Sequence, residues 1–408
     1  MDYIINRKEV EQIKKENAWL LVYGRRKIGK TFLLRQLCGF ENYYLVKKNR
    51  DILSNGEKKL SLEEMLSNVK KSLCDGKTVV IDEFQRLDES DIEELTTIHP
   101  KGRLIISGSS FRITRKIFEP NSPLLGFFSP FKMDFINPVD IVKAIKKEFE
   151  PSRTIELSTF LREPWLIPLY NNEDIMHFVY NAITRSKYII SGLVGEIFNE
   201  EDRNFTSKYE ALLNLIGSGT WNPGKMSSVL YSRELINEPG QSHIIQYLKN
   251  MKEMALVEKV KLLNSKKRHY WRLASPIAGI YYYMDDRYNI GERDISFEEA
   301  KPMLELLINL QIQDSIADYF ADIYNGRKEY YISPEREIDF IITRRNKADI
   351  IGEVKWKKVV KSDIEKFKYN TRHFNAKKVF ICKKGVIEDD DVEVVDAEKL
   401  LNSQLLKK

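Results

Sequence analysis

The sequence predicts an α/β protein with a parallel sheet at its N-terminus, a helical middle, and a second α/β module at its C-terminus. Three observations predict it. Short apolar runs at 19–23, 78–81 and 103–107 are separated by helical patterns, as buried parallel strands are. Beyond Pro138 the pattern becomes helical to about 201, punctuated by Pro151, Pro164 and Pro168. After Gly291 a long amphipathic stretch, 297–324, precedes alternating runs at 337–343 and 348–355.

In chain order, the run at 19–23 leads into a glycine-bearing turn and a helix over 31–37. The second run ends in acids, Asp82 and Glu83, and the third ends in Gly108-Ser109-Ser110. Residues 1–135 are thus expected to form one domain and 136–204 a helical lid. From 208 to 288, three short helical segments lead into a run at 254–261, a charged turn Asn264-Ser265-Lys266-Lys267, and a run at 268–273. Helices closing on a basic hairpin describe a winged helix, expected over 205–290. Residues 291–408 are expected to be a separate α/β module.

A chain of 408 residues exceeds one ordinary domain, in keeping with this division. Lysine and arginine number 66 against 60 aspartate and glutamate, a net charge of +6, so nucleic-acid binding must be argued from local clusters. No apolar stretch reaches the roughly 18 residues of a membrane helix, and the N-terminus lacks a signal-peptide pattern. A cytoplasmic protein is expected. Cys38, Cys74 and Cys382 lie far apart and no C-x-x-C or H-x-x-x-H spacing occurs, which argues against a zinc site.

Gly24-Arg25-Arg26-Lys27-Ile28-Gly29-Lys30-Thr31 satisfies G-x-x-x-x-G-K-[ST] between a strand and a helix, where a triphosphate cradle belongs. The glycines let backbone N–H groups curl around phosphate oxygens, and the helix N-terminus adds its positive dipole end. Lys30 is expected to reach the β and γ phosphates, and Thr31 and Asp82 to hold Mg²⁺. Glu83 is the candidate general base for the attacking water. Ser107 or Ser109 is a candidate γ-phosphate sensor. The expected cofactors are ATP and Mg²⁺.

The start Asn6-Arg7-Lys8-Glu9, the G-R-R-K-I-G-K-T loop, Ile81-Asp82-Glu83-Phe84-Gln85 and Ser107-Gly108-Ser109-Ser110 together resemble the archaeal-type AAA+ ATPases of the STAND-like branch. The resemblance runs over the whole chain. It implies a P-loop ATPase core, a lid, a winged helix and a C-terminal domain related to PD-(D/E)XK nucleases, with Asn6, Arg7 and Glu9 packed near the adenine. Two positions depart from the family pattern: Phe127 follows Gly126 where an arginine is usual, and Pro164-Trp165 precedes Leu166-Ile167-Pro168 where a glycine pair is usual. Both departures bear on coupling between lid and nucleotide.

Glu337-Ile338-Asp339 followed by Glu353-Val354-Lys355 reproduces the D…E-x-K core of those nucleases. Residues two apart on a strand share a face, so Glu353 and Lys355 point the same way. A turn centred on Asn346 places Asp339 opposite Glu353, and Mg²⁺ held by the two would relieve their repulsion while Lys355 serves the attacking water. The preceding helix offers Gln311, Gln313 and Glu305 rather than an obvious further acid.

Basic and aromatic residues interleave at 266–272, and Lys355, Lys357, Lys358, Lys361, Lys366, Lys368, Arg372, Lys377 and Lys378 gather with Trp356, Phe367 and Tyr369. Such strips contact nucleic-acid phosphates and bases. The expected partner is DNA, on branched, forked or single-stranded structures, with phosphodiester cleavage as the implied chemistry. The alternative is a STAND-type regulatory switch with an inactive nuclease fold, acting through oligomer formation or a protein partner.

Overall fold

The computed structural model describes residues 3–40, 42–97, 101–201, 203–265, 267–334, 336–385 and 387–402. The chain divides into two compact units. One comprises Asn6–Phe135 with Gly195–Asn204, and the other Met1–Ile5, Ile136–Val194 and Phe205–Lys408.

The first unit is built on strands β1 (Leu20–Tyr23), β2 (Asn42–Val46), β3 (Ile52–Ser54), β4 (Lys58–Leu60), β5 (Thr78–Asp82), β6 (Arg103–Gly108) and β7 (Ser129–Lys132). Their order is β4-β3-β2-β5-β6-β1-β7, with β2, β5, β6, β1 and β7 parallel and β3 and β4 antiparallel at one edge. The apolar runs are continuous because both faces are covered. Leu21, Val79, Ile81, Leu104 and Ile106 enter one buried cluster, while Leu20, Val22, Val80 and Ile105 enter another. Parallel pairing brings the C-terminal tips of β1, β5 and β6 to one edge, with Ser107 in register with both Val22 and Asp82. The helix expected over 31–37 is α-helical only at Lys30–Phe32. Its continuation, Leu33–Leu37, winds wider, closed by Cys38 N–H donating to Leu33 O at 2.8 Å.

The second unit contains β8 (Val257–Leu262), β9 (His269–Leu273), β10 (Arg327–Ile332), β11 (Glu337–Arg344), β12 (Lys347–Lys358), β13 (Lys377–Lys384) and β14 (Glu393–Asp396), ordered β14-β13-β12-β11-β10-β8-β9. Helices Ser207–Gly217, Pro223–Ser232 and Gln241–Glu253 precede the β8–β9 hairpin as expected. The hairpin is not separate from the C-terminal strands. Glu329 and Tyr330 of β10 pair in parallel with Lys261 and Leu262 of β8, so one sheet runs through both regions. The expected boundary at 290 therefore falls inside one compact unit.

The prolines of the 136–204 region mostly start helices instead of breaking them. Pro138 and Pro151 open helices Pro138–Ile145 and Pro151–Phe160, where a missing N–H costs nothing, and only Pro168 lies inside a turn, the 3-10 segment Pro164–Leu169.

In the β11–β12 hairpin, Phe340 lies opposite Gly352, the register that follows from placing Asp339 opposite Glu353. Arg345 and Asn346 form the turn, both with positive φ, and a bulge between Ile342 and Thr343 absorbs the one-residue offset.

Candidate functional site

The loop at 24–31 is shaped by its glycines. A Cβ on Gly24 would lie 2.2 Å from Met133 O, and Gly29 sits at φ 87°, so neither position accepts a larger residue without rearrangement. Ile28 is buried, and its carbonyl accepts from Arg7 Nη1 at 2.8 Å. The same guanidinium donates to Glu9 Oε1 at 2.7 Å and to Asp134 O at 2.9 Å. Arg7 is thus a buried brace of the loop with its donors engaged, whereas Asn6 is exposed.

Lys30 is 6% exposed, and its Nζ donates to Gly24 O at 2.7 Å and Arg25 O at 3.0 Å. Burial pushes its pKa down, opposed by the negative charges of Glu83 and Asp82. Arg25 lies over the Phe135 ring at 4.6 Å, and Lys27 is exposed at φ 65°. Arg26 pairs with Glu196 at 2.9 Å and with Glu200. Glu201 accepts from the N–H groups of Phe111 and Arg112, which anchors this acidic stretch to the helix after β6.

Thr31 Oγ1 donates to Asp82 Oδ2 at 2.6 Å, and Tyr43 OH donates to that same oxygen at 2.6 Å. A hydroxyl and a carboxylate held this way fit a hard divalent ion, which takes oxygen ligands. Glu83 follows at φ 58°, a left-handed conformation unusual for its type. Its Oε2 accepts from Gln85 Nε2 at 2.9 Å and pairs with Arg86 Nη2 at 2.9 Å. Burial raises the Glu83 pKa and Arg86 opposes the rise, giving a half-buried carboxyl suited to taking a proton. Gln85 also donates to Ser109 Oγ at 3.2 Å. Ser107 is fully buried between β1 and β5, and its Oγ has no hydrogen-bond partner among the described residues.

Tyr43 escapes sequence reading because nothing in its spacing links β2 to the motifs. Tyr43→Phe should leave Mg²⁺-free ATP binding within a factor of about two, while turnover falls roughly tenfold and needs more Mg²⁺. Turnover titrated against Mg²⁺ checks this, and an unchanged Mg²⁺ curve would remove Tyr43 from any positioning role.

In the second unit, Asp339 Oδ2 accepts from Val354 N–H at 2.8 Å. Burial and then Glu353 push the Asp339 carboxyl well above the usual carboxylate range, and Glu353 is itself raised by burial against the pull of Lys355 and Lys366. Two half-buried acids sharing unfavourable charge fit a cation between them. Lys355 is drawn to Asp363, at 2.5 Å, an acid of helix Lys361–Thr371 that no spacing rule identifies. Among the described residues no group of three or more histidine, cysteine, aspartate or glutamate side chains is disposed to hold a metal. Glu305 is exposed, and the inward acids of its helix include Asp314 and Asp318. Asp314 pairs with Arg272 and with Lys328, not with Asp339.

The basic strips are corrected in part. Lys266 lies outside the described residues. Arg272 turns inward to Asp314 and Glu258, Trp271 is 4% exposed, and Tyr270 stacks on Trp221 at 5.5 Å, so the interleaved strip does not present itself as a unit. The alternation of a strand divides it, turning Trp271 inward between its neighbours. Lys267 and Arg268 remain exposed. In the C-terminal strip Trp356 is buried and donates to Glu156 at 2.8 Å, Phe367 is core, Lys368 pairs with Asp389 and Asp391, and Lys377 pairs with Glu393. Lys357, Lys358, Lys361, Lys366 and Tyr369 stay exposed.

Residues 16–132 match the AAA domain family. No curated protein matches the chain. Among solved structures, the Walker-type ATPase PABY2304 of Pyrococcus abyssi is similar at 15% identity and TM-score 0.50, covering 68% of this chain and 96% of that one. The ORC2 protein of Aeropyrum pernix, solved as ADPNP and ADP complexes, is similar at 13% identity and TM-score 0.38, covering 74% of this chain and 89% of that one. The AAA domain match falls on the residues whose geometry forms the phosphate loop, and it supports ATP hydrolase activity. Among the described residues, no helix is long and apolar enough to cross a membrane.

Proposed function

We propose that the chain is a Mg²⁺-dependent ATPase that acts on DNA, with Gly24 to Thr31 holding the triphosphate and Thr31 and Asp82 holding the metal. The observation that carries its ATPase part is the 2.6 Å bond from Thr31, in the helix start after β1, to Asp82 at the C-terminal tip of β5, with buried Lys30 next to Thr31 in the chain. Glu83 serves as general base once released from Arg86 and Gln85, and Ser107 or Ser109, at the end of β6, senses the γ phosphate. Residues 136–204 act as the lid, and the three helices and hairpin of 205–290 act as a winged helix.

In the same reading, residues 291–408 carry a PD-(D/E)XK-like site in which Asp339 and Glu353 hold a second Mg²⁺ and Lys355 serves the water. The raised pKa values of the two acids support a cation there, since a divalent ion would restore the charged forms that burial disfavours. Its chemistry would be polarisation of a scissile phosphate. One observation favours the alternative of a protein-directed switch with an inert nuclease fold: Lys355 is engaged by Asp363 instead of standing free.

One experiment separates these readings. Fork, flap, junction and single-stranded DNA are incubated with wild type, Glu83→Gln and Asp339→Ala, with and without ATP and Mg²⁺. Glu83→Gln should keep ATP binding and slow hydrolysis by roughly 100-fold or more. Asp339→Ala should lose Mg²⁺-dependent cleavage with ATP turnover intact. Wild type that cleaves nothing supports the switch, and full turnover in Glu83→Gln removes that residue from the role of base.

A further inference from the structure

The closed end of the β11–β12 hairpin carries a concentration of positive charge that no part of the expected nuclease core requires. An open cleft of about 910 Å³ is lined there by Arg327, Arg344, Arg345 and Lys347, with Asp349 as the acid of the lining. Four cations face one carboxylate. Arg344 engages Asp349 at 2.6 Å and Arg327 donates to Asn346 Oδ1 at 2.6 Å, while Arg345 and Lys347 are exposed.

Two features make this arrangement costly in the isolated chain. Arg344 and Lys347 are direct cross-strand partners, and like charges set opposite one another destabilise a hairpin, a repulsion that Asp349 offsets on the Arg344 side and nothing among the described residues of the cleft lining offsets on the Lys347 side. Arg345 occupies a turn position at φ 49°, where glycine, asparagine or aspartate relieves strain and arginine does not. A hairpin selected for stability alone would place neither feature there. An anion in the cleft would remove the repulsion.

The cations come from the ends of three neighbouring strands, since Arg327 opens β10 beside Thr343, Arg344 closes β11 and Lys347 opens β12. Adjacent strands lie about 4.8 Å apart, so the charges spread over roughly 10 Å of an open surface. That spread suits a run of phosphates better than one small phosphate, which calls for donors converging on a point. From Lys347 to Glu353 the strand covers six steps, roughly 20 Å, a distance that about six nucleotides of one strand span at 3.4 Å each.

We propose that this cleft contacts the phosphodiester backbone of the nucleic acid, about six nucleotides from the pair Asp339 and Glu353; the inference rests on the DNA-directed reading above. The phosphates neutralise the opposed Arg344 and Lys347, and the hairpin becomes the rod that fixes the spacing between anchor and carboxylates.

The test uses the full chain, a labelled 20-nucleotide single strand and the duplex of the same sequence, with binding followed by anisotropy over a salt series. Arg345→Glu with Lys347→Glu is compared with a control of equal charge change, Lys146→Glu with Lys301→Glu. The first pair should weaken binding at least tenfold and reduce the slope of log affinity against log salt by about two, and the control pair should change the slope much less. Equal effects of both pairs, or a wild-type slope in the first, would overturn the inference while leaving the DNA reading in place. Wild type that binds neither probe would overturn both. Melting temperature distinguishes lost contact from lost fold: removing the opposed cations should leave it unchanged or higher.

Discussion

Lys30→Ala should abolish nucleotide binding, weakening ATP affinity by at least about 100-fold, or roughly 2.7 kcal/mol, in a calorimetric titration of the intact chain. The size of the effect follows from the environment of the ammonium group. Lys30 is buried, and its Nζ donates to the carbonyls of Gly24 and Arg25, which keep it inside the loop. Burial disfavours its charge while Glu83 and Asp82 favour it, so a phosphate entering the loop meets a cation poorly solvated by water. Such a group makes stronger contacts than a surface lysine, and alanine removes them without a substitute. The same variant should melt within a few degrees of wild type, because Arg7, bonded to Ile28 O, braces the loop independently of Lys30. Binding retained within a factor of five would show that the loop, as folded here, is not the triphosphate cradle.

Legibility in the sequence depends on which contacts are local. Gly24, Gly29, Lys30 and Thr31 lie within eight residues, and their roles follow from one turn into one helix, so spacing alone exposes them. The register of the 337–355 hairpin is legible for a related reason: strand alternation and a tight turn leave few choices, and the bulge at Ile342 and Thr343 keeps Phe340 opposite Gly352 although the turn is at Arg345 and Asn346. Tyr43 and Asp363 are illegible because each reaches its partner from an element with no fixed sequence offset, β2 in one case and the helix after β12 in the other. Arg272 misleads for an instructive reason. A basic residue in a hairpin reads as exposed only if its face of the hairpin is free, and here helix Phe297–Ile323 supplies Asp314 to that face although β9 is the outermost strand of the sheet.

That inward pairing makes Asp314→Ala the substitution with the largest expected effect on stability. Asp314 is 8% exposed and receives Arg272 of β9, Lys328 of β10 and the Tyr330 hydroxyl. Lys328 continues to Asp318 at 2.5 Å, and Asp318 to Arg162 at 2.7 Å, so one buried charge network holds the hairpin, the C-terminal sheet and the long helix together. Removing one acid leaves cations desolvated without full compensation, at a cost of about 3–5 kcal/mol, which for a unit of this size corresponds to a fall in melting temperature of roughly 6–12 °C. The N-terminal unit should still bind ATP, and amide exchange should accelerate in β8 and β9 before β12 and β13. The network also sets a pH dependence. Burial alone would raise the Asp318 carboxyl, but Lys328, Arg162 and Arg272 outweigh it and hold it below its ordinary value of 3.8. Its folded pKa is depressed, so its contribution is fully present above about pH 4 and is lost as pH falls below that. Asp314→Ala should melt lower than wild type at neutral pH, and wild type itself should lose stability as pH falls below about 4. A gap of less than 2 °C at pH 7 would mean that the hairpin is held by its strand pairing with β10 alone, and the buried charges would then be passengers of the fold.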